Sequence, residues 1–219
     1  MDNDFMPFVA IDENKKKVNT FDNLKEIDEM RSKKNLFWCP HCNGEMIFNH
    51  GNVVIPHFSH KVICPYQTEP ESQKHLAMKA YIKNKFPTAE LEVRMGNRIN
   101  DACFGDIAIE CQVSPITREE IITRTKDYNK MGKSVFWFLG SRIIERDKQS
   151  AFFRQCEVAL QDMYDGVYFY QSDNSVGQYY FKYLRGREKK GYFLKRYECA
   201  GKRFSFHNIV DGMMIAKLR

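Results

Sequence analysis

The chain has 219 residues, 43% of them hydrophobic, with a formal charge of +6 and a pI near 8.8, enough for one well-filled core and a small appendage. No apolar stretch approaches a membrane span, and the acidic opening MDNDFMPF lacks the basic start of a secretory signal, so the expectation is a cytoplasmic protein with no membrane partner. The basic balance favours an anionic partner, and seven cysteines, an odd number, fit a reduced compartment and a metal site better than a secreted disulfide framework.

In chain order, Phe5 to Ile11 reads as a short strand, and Thr20 is placed to cap a helix whose apolar face is Leu24, Ile27 and Met30. The following stretch, LFWCPHCNGEMIFNHGNVVIPHFSHKVICPY, is dense in Cys, His, Gly and Pro, as in a metal knuckle holding a hairpin. Cys39 and Cys42, spaced C-x-x-C, can bring two thiolates to one tetrahedral ion, and His57, His60 and Cys64 follow. The expected structural zinc set is Cys39, Cys42, His60 and Cys64, with His57 as the alternate for His60. Such a metal would hold together a segment too small to own a core. A redox C-x-x-C is the rival reading, but its usual βαβ context is missing.

Thr68 to Pro70 reads as a linker, and ESQKHLAMKAYIKNKF as a helix that Pro87 stops. From Glu90 the pattern becomes three short strands, LEVRM, NDACF and IAIECQV, separated by turns at Gly96-Asn97 and Gly105-Asp106 and expected to lie antiparallel. Thr117 and Glu120 form a capping box for a helix that runs to Gly132. VFWFLG is a strand covered on both faces, and a last helix spans roughly Lys148 to Tyr164.

The chemistry emerges from counting across the Gly105-Asp106 turn. A two-residue hairpin there sets Phe104 against Ile107 and hence Asp101 against Glu110. Opposed carboxylates repel, so a cation is expected between them, and Mg²⁺ or Mn²⁺ suits an all-oxygen set of this kind. Gln112 shares the face of Glu110, because the strand period is two, and its amide is placed to orient the attacking water. An isolated acid is ordinarily solvated surface, but Glu110 interrupts an apolar run and opposes a second acid.

Two helices add candidates. Glu71, His75 and Lys79 recur at intervals of four, with Glu71 a further metal ligand and His75 and Lys79 contacts for phosphate; a solvated stripe is the bland alternative. Arg124 and Tyr128 share a face with Ile121 and Met131, so Arg124 calls for a phosphate or a site carboxylate unless it snorkels to solvent. Beyond Gly166 come VYFYQ, QYYFKYL, GYFLKRYE and KRFSF, with eleven Lys or Arg against three Asp or Glu from Lys182 onward. Lys182, Arg185, Arg187, Lys195 and Arg196, interleaved with tyrosines, suit single-stranded nucleic acid; alternating aromatics are equally the buried face of a small sheet.

The series CPHC, PHFSH with a following Cys, ESQKH, Asp101 with IAIECQVSPIT, RTKDY and VFWFLG resembles the CoiA-like competence protein family over roughly Phe37 to Leu139. The resemblance implies a branch of the PD-(D/E)XK nuclease superfamily with an N-terminal zinc-binding segment, and with Glu-x-Gln where many relatives have Glu-x-Lys. By that likeness Asp101 and Glu110 are metal ligands, Gln112 is the variant third position, and Glu71 is the helix-borne acid. Family members tend to be longer, and the tail matches no motif.

The expected fold is therefore mixed α/β, a restriction-endonuclease-like sheet flanked by helices. Residues 1–67 would form the N-terminal segment with the knuckle, residues 68–166 the nuclease-like core, and residues 167–219 a basic aromatic β-rich region. The expected function is Mg²⁺- or Mn²⁺-dependent hydrolysis of phosphodiester bonds, with DNA ahead of RNA as partner. There is room for a homodimer and for a protein partner in recombination or defence. The alternatives are a non-catalytic DNA-binding or recombination-mediating platform and an inhibitor that engages a nucleoprotein.

Overall fold

A computed structural model describes residues 7–66, 71–140, 150–152, 155–163, 167–170, 176–184 and 193–197. The chain is mixed α/β and divides into two compact units, Met1–Phe104 and Gly105–Arg219.

In the first unit, β1 (Val9–Ile11), β2 (Lys17–Asn19), β3 (Phe37–Trp38), β4 (Glu45–Asn49) and β5 (His57–His60) form one sheet in the order β2-β1-β3-β4-β5. The Phe58 N–H bonds to the Pro7 carbonyl at 2.7 Å and so ties β5 back to the start of β1. Helix α1 (Leu24–Ser32) covers this sheet. It starts later than the sequence suggested. Thr20 is buried and its backbone N–H bonds to the Phe8 carbonyl, while the Asn19 side chain accepts the Phe21 and Asp22 amides, forming a turn that delivers Asn23 as the N-cap. Ala10, Val18, Ile27, Phe37, Met46, Phe48 and Phe58 pack around Cys39 and Cys64. The knuckle segment thus has a core of its own, contrary to expectation, because Ala10, Val18 and Ile27 of β1, β2 and α1 pack against Phe37, Met46, Phe48 and Phe58 of the Cys-rich stretch.

Helix α2 (Gln73–Lys85) opens on Ser72, whose hydroxyl accepts the His75 N–H, and ends before Pro87. The strands β6 (Glu90–Met95) and β7 (Arg98–Phe104) pair antiparallel. Gly96 adopts φ +61° in the turn between them, a conformation open to glycine at no steric cost.

The second unit begins with β8 (Ile107–Gln112), buried along its whole length, two residues after β7 ends. Helix α3 (Arg118–Lys130) is capped by Thr117, whose hydroxyl accepts the Glu120 N–H at 3.1 Å. It stops at Gly132, φ +74°. The buried strand β9 (Ser134–Gly140) runs parallel to β8, giving a β-α-β unit. Beyond it lie β10 (Ser150–Phe152), α4 (Gln155–Met163), β11 (Val167–Tyr170), β12 (Val176–Leu184) and β13 (Phe193–Tyr197). The strand order in this unit is β10-β13-β12-β11-β9-β8, with β11 parallel to β9. Three of the four aromatic runs expected in the tail fall on these strands, and the fourth, KRFSF, lies outside the described residues.

Candidate functional site

The loop between β3 and β4 carries the C-x-x-C pair and folds tightly on itself. Cys39 N–H bonds to Gly44 O at 2.9 Å, Asn43 N–H bonds to Cys39 O at 3.0 Å, and Asn43 adopts φ +57°. The His41 and Gly44 amides point at the Cys39 and Cys42 sulfurs, both at 3.4 Å, where they favour thiolate charge. Strand β5 supplies His60, and Cys64 follows four residues later. One ligand atom from each of Cys39, Cys42, His60 and Cys64 lies within 4.8 Å of the others. Three sulfurs and one imidazole at this separation fit a closed tetrahedral site for a metal ion. His57 is turned away, its Nδ1 2.8 Å from the Ile55 carbonyl. Burial pushes the Cys39 thiol up to about 12 and raises Cys64, and it holds His60 below the ordinary imidazole range, in the neutral form a metal requires.

A second cluster lies farther along the first unit. Glu71 sits just before the Ser72 cap, yet it reaches both expected helix partners: Lys79 Nζ at 2.5 Å and His75 Nδ1 at 3.5 Å. His75 Nε2 is 2.9 Å from Asp101 Oδ1 on β7. Burial would lower His75, but the Asp101 carboxylate and then Glu71 outweigh it and hold the imidazole above its usual value. Burial raises Glu71 in spite of Lys79 and His75.

Lys79 is 0% exposed, so in this arrangement it meets carboxylates and no solvent-borne phosphate. Burial opposes its charge, yet Glu71, Glu92 and Asp101 together raise it above the ordinary lysine value. Glu92 is the functional candidate that sequence reasoning missed. LEVRM read as a strand with no role given to Glu92, whereas Glu92 is buried with φ +53°, accepts Lys79 Nζ at 2.8 Å, and accepts the Phe8 and Val9 amides at 2.7 and 3.2 Å. An acid in mid-strand, opposite Asp101 by the register that pairs Leu91 with Ala102 and Val93 with Asn100, was the available signal.

In the second unit, Glu110 is buried on β8 and receives the Tyr128 hydroxyl in a short hydrogen bond, with Arg124 3.6 Å from its other oxygen. Arg124 also bonds Glu120 at 2.8 Å. Both α3 residues expected at nucleic acid therefore hold carboxylates. The Gln112 amide nitrogen donates to Ser114 O and Oγ at 2.9 and 3.0 Å, which fixes the orientation of the amide. In the tail, Lys182 stands opposite Lys195 and Phe181 opposite Arg196 across β12 and β13. Arg185 and Arg187 lie outside the described residues.

Two family models match: the N-terminal domain of competence protein CoiA over residues 20–67, and the nuclease-like domain of the same protein over residues 71–210. The chain belongs to the CoiA family. The first model spans the Cys/His cluster, and the second spans both units' acidic residues and the β12–β13 lysines. Competence protein CoiA of Bacillus subtilis (strain 168) is 28% identical over 130 residues, which are 54% of this chain and 35% of that protein. The chain thus aligns with about a third of that relative's length. No solved structure matches. No helix among the described residues is long and apolar enough to cross a membrane.

Proposed function

We propose that the chain is a divalent-metal-dependent nuclease that hydrolyses phosphodiester bonds of DNA, single strands included, with a structural zinc ion in the Cys39–Cys42–His60–Cys64 cluster. The observation that carries the reading is a set of acids held by dedicated partners in a nuclease-like domain: Asp101 by His75, and Glu110 by Tyr128 and Arg124. The hairpin count of the sequence is the ground for assigning these two acids to one ion.

Asp101 and Glu110 would hold Mg²⁺ or Mn²⁺, which supplies a Lewis acid for the phosphate and lowers the pKa of water. Gln112, its nitrogen tied to Ser114, turns its amide oxygen to the water. The water oxygen would form a bond to phosphorus as the bond to the leaving sugar oxygen breaks; the water proton would pass to a carboxylate or a second water, and the leaving oxygen would take up a proton from solvent. Lys79, clamped by Glu71 and Glu92 with its proton strongly held, acts as fixed positive charge and not as a base. Glu71 serves this balance and holds His75. Lys182 and Lys195, at paired register positions on β12 and β13, favour a polyanion as partner.

Gln112 in the third position also favours a second reading, in which the fold is a DNA-binding or recombination-mediating platform without hydrolysis. Cleavage of labelled single- and double-stranded DNA and RNA with Mg²⁺ or Mn²⁺ separates the two. Wild type is expected to cut, and Asp101→Ala and Glu110→Ala, shown folded by circular dichroism, to lose at least ~10²-fold in rate. Binding without cleavage by wild type under both metals would replace the catalytic reading with the platform.

A further inference from the structure

Hydrogen bonds and ion pairs run without a break from the strand that carries His60 to the carboxylate of Asp101, all within the first unit. Phe58 on β5 donates to Pro7, and the next two residues, Phe8 and Val9, donate their amides to the Glu92 carboxylate. The same carboxylate accepts Lys79, whose ammonium also lies 5.1 Å from the centre of the Phe8 ring. From Lys79 the connections continue through Glu71 to His75 and through His75 to Asp101.

Glu92 holds this place at φ +53°, a left-handed conformation uncommon for a residue with a side chain and found where surrounding contacts over-determine it. Other ties between the knuckle and these elements reach the surface. Lys83 on α2 meets Asp22, an acid more than half exposed, and Arg94 lies over the Tyr66 ring. Ion pairs at exposed sites contribute little. The buried connection is the one able to carry a substantial coupling.

We propose that Glu92 is a positioning residue that couples the Cys39–Cys42–His60–Cys64 knuckle to the Glu71–His75–Lys79–Asp101 cluster, so that metal in the knuckle sets the order of α2. The proposal rests on reading the Cys/His cluster as a zinc site and is independent of hydrolysis. With zinc bound, β5 and β1 are held in register and the Phe8 and Val9 amides stay on Glu92. Glu92 then keeps Lys79 between two acids, and Glu71 keeps His75 on Asp101. Without zinc the amides drift from Glu92, and the cluster loses one of its two anchors.

The test is hydrogen exchange on the full chain, zinc-loaded and chelator-stripped, for wild type and Glu92→Gln. Stripping wild type is expected to speed exchange at Phe8, Val9 and the α2 amides at least ~10-fold, while β9 amides in the second unit stay as protected as before. Glu92→Gln is expected to bind one zinc per chain and to show α2 exchange that is the same with and without zinc. If Glu92→Gln does not fold, Lys79→Met/Glu92→Gln, which removes charge from both partners, takes its place under the same expectation. The proposal is overturned if α2 in wild type ignores zinc, if β9 loosens together with α2, or if the variant responds to stripping as wild type does. Cleavage plays no part in this readout, so a protein that cuts nothing still decides it.

Discussion

Arg124 called for a phosphate or a site carboxylate, and Glu110 is that carboxylate; for Tyr128 the side chain stood out while its partner did not. Both stood out on an otherwise apolar helix face, and both reach Glu110, Tyr128 by a hydrogen bond and Arg124 as an ion pair at 3.6 Å, so that α3 holds it from two sides. Tyr128→Phe removes a donor from a buried carboxylate without changing the packing. A loss of ~1.5–3 kcal/mol is expected by urea denaturation, together with a lower cleavage rate. A variant as stable as wild type would mean that Glu110 finds another donor.

His75 gives the pH dependence a sign. Its folded value is raised, because Asp101 and Glu71 outweigh burial. The stability that this pair contributes is therefore present in full below the ordinary imidazole value of ~6.5 and is lost as pH rises through the folded value. Urea midpoints of the metal-free protein should show this decline toward alkaline pH, and His75→Gln should flatten it. Lys79 stands between two buried acids, so Lys79→Met leaves both without their counter-ion and is expected to cost ~3–5 kcal/mol. A change within ~1 kcal/mol would show that the acids take up protons instead.

At the scale of elements, the helices and strands that position the acids could be read from local chemistry. Ser72 and Thr117 sit three residues before the amides they cap, Pro87 stops α2, Gly132 ends α3, and the apolar VFWFLG becomes a strand buried along almost all of its length. The start of α1 was not legible, because the Asn19 turn competes with Thr20 through side-chain bonds that no periodicity reveals. Nor was Glu92, since alternation marks a face as polar without saying what packs on that face. The Cys/His cluster followed from spacing, but the choice between His57 and His60 needed the hairpin register, which pairs Met46 with His60 and Asn49 with His57.

The knuckle also makes its own predictions. A side-chain carbon on Gly44 would lie 3.2 Å from the Cys42 sulfur, so Gly44→Val should weaken metal binding where a change at Gly51, with open space around it, should not. Competition with a chromogenic chelator measures both. Because burial pushes Cys39 up to about 12, a metal ion entering the cluster must displace protons, and its affinity should climb as pH rises.

At the scale of the whole molecule, the charge of the tail is a matter of salt. Lys182 and Lys195 occupy paired register positions on neighbouring strands. Replacing both with alanine should weaken nucleic-acid binding and reduce the slope of log K against log salt by about 1–2. An unchanged slope would place the phosphate contacts elsewhere. Cutting the chain at Gly166 is a poor substitute for this experiment, because β11 is the neighbour of β9.

That pairing has a consequence for biogenesis. As the polypeptide leaves the ribosome, β9 can take its place beside β8 as soon as α3 has crossed over, but its other edge stays bare until residues 167–170 emerge. This strand, buried along almost all of its length, is then an unpaired template for any passing chain. Stalled or prematurely terminated products ending before β11 are thus the species that chaperones must hold, and their solubility should return once translation extends through Tyr170.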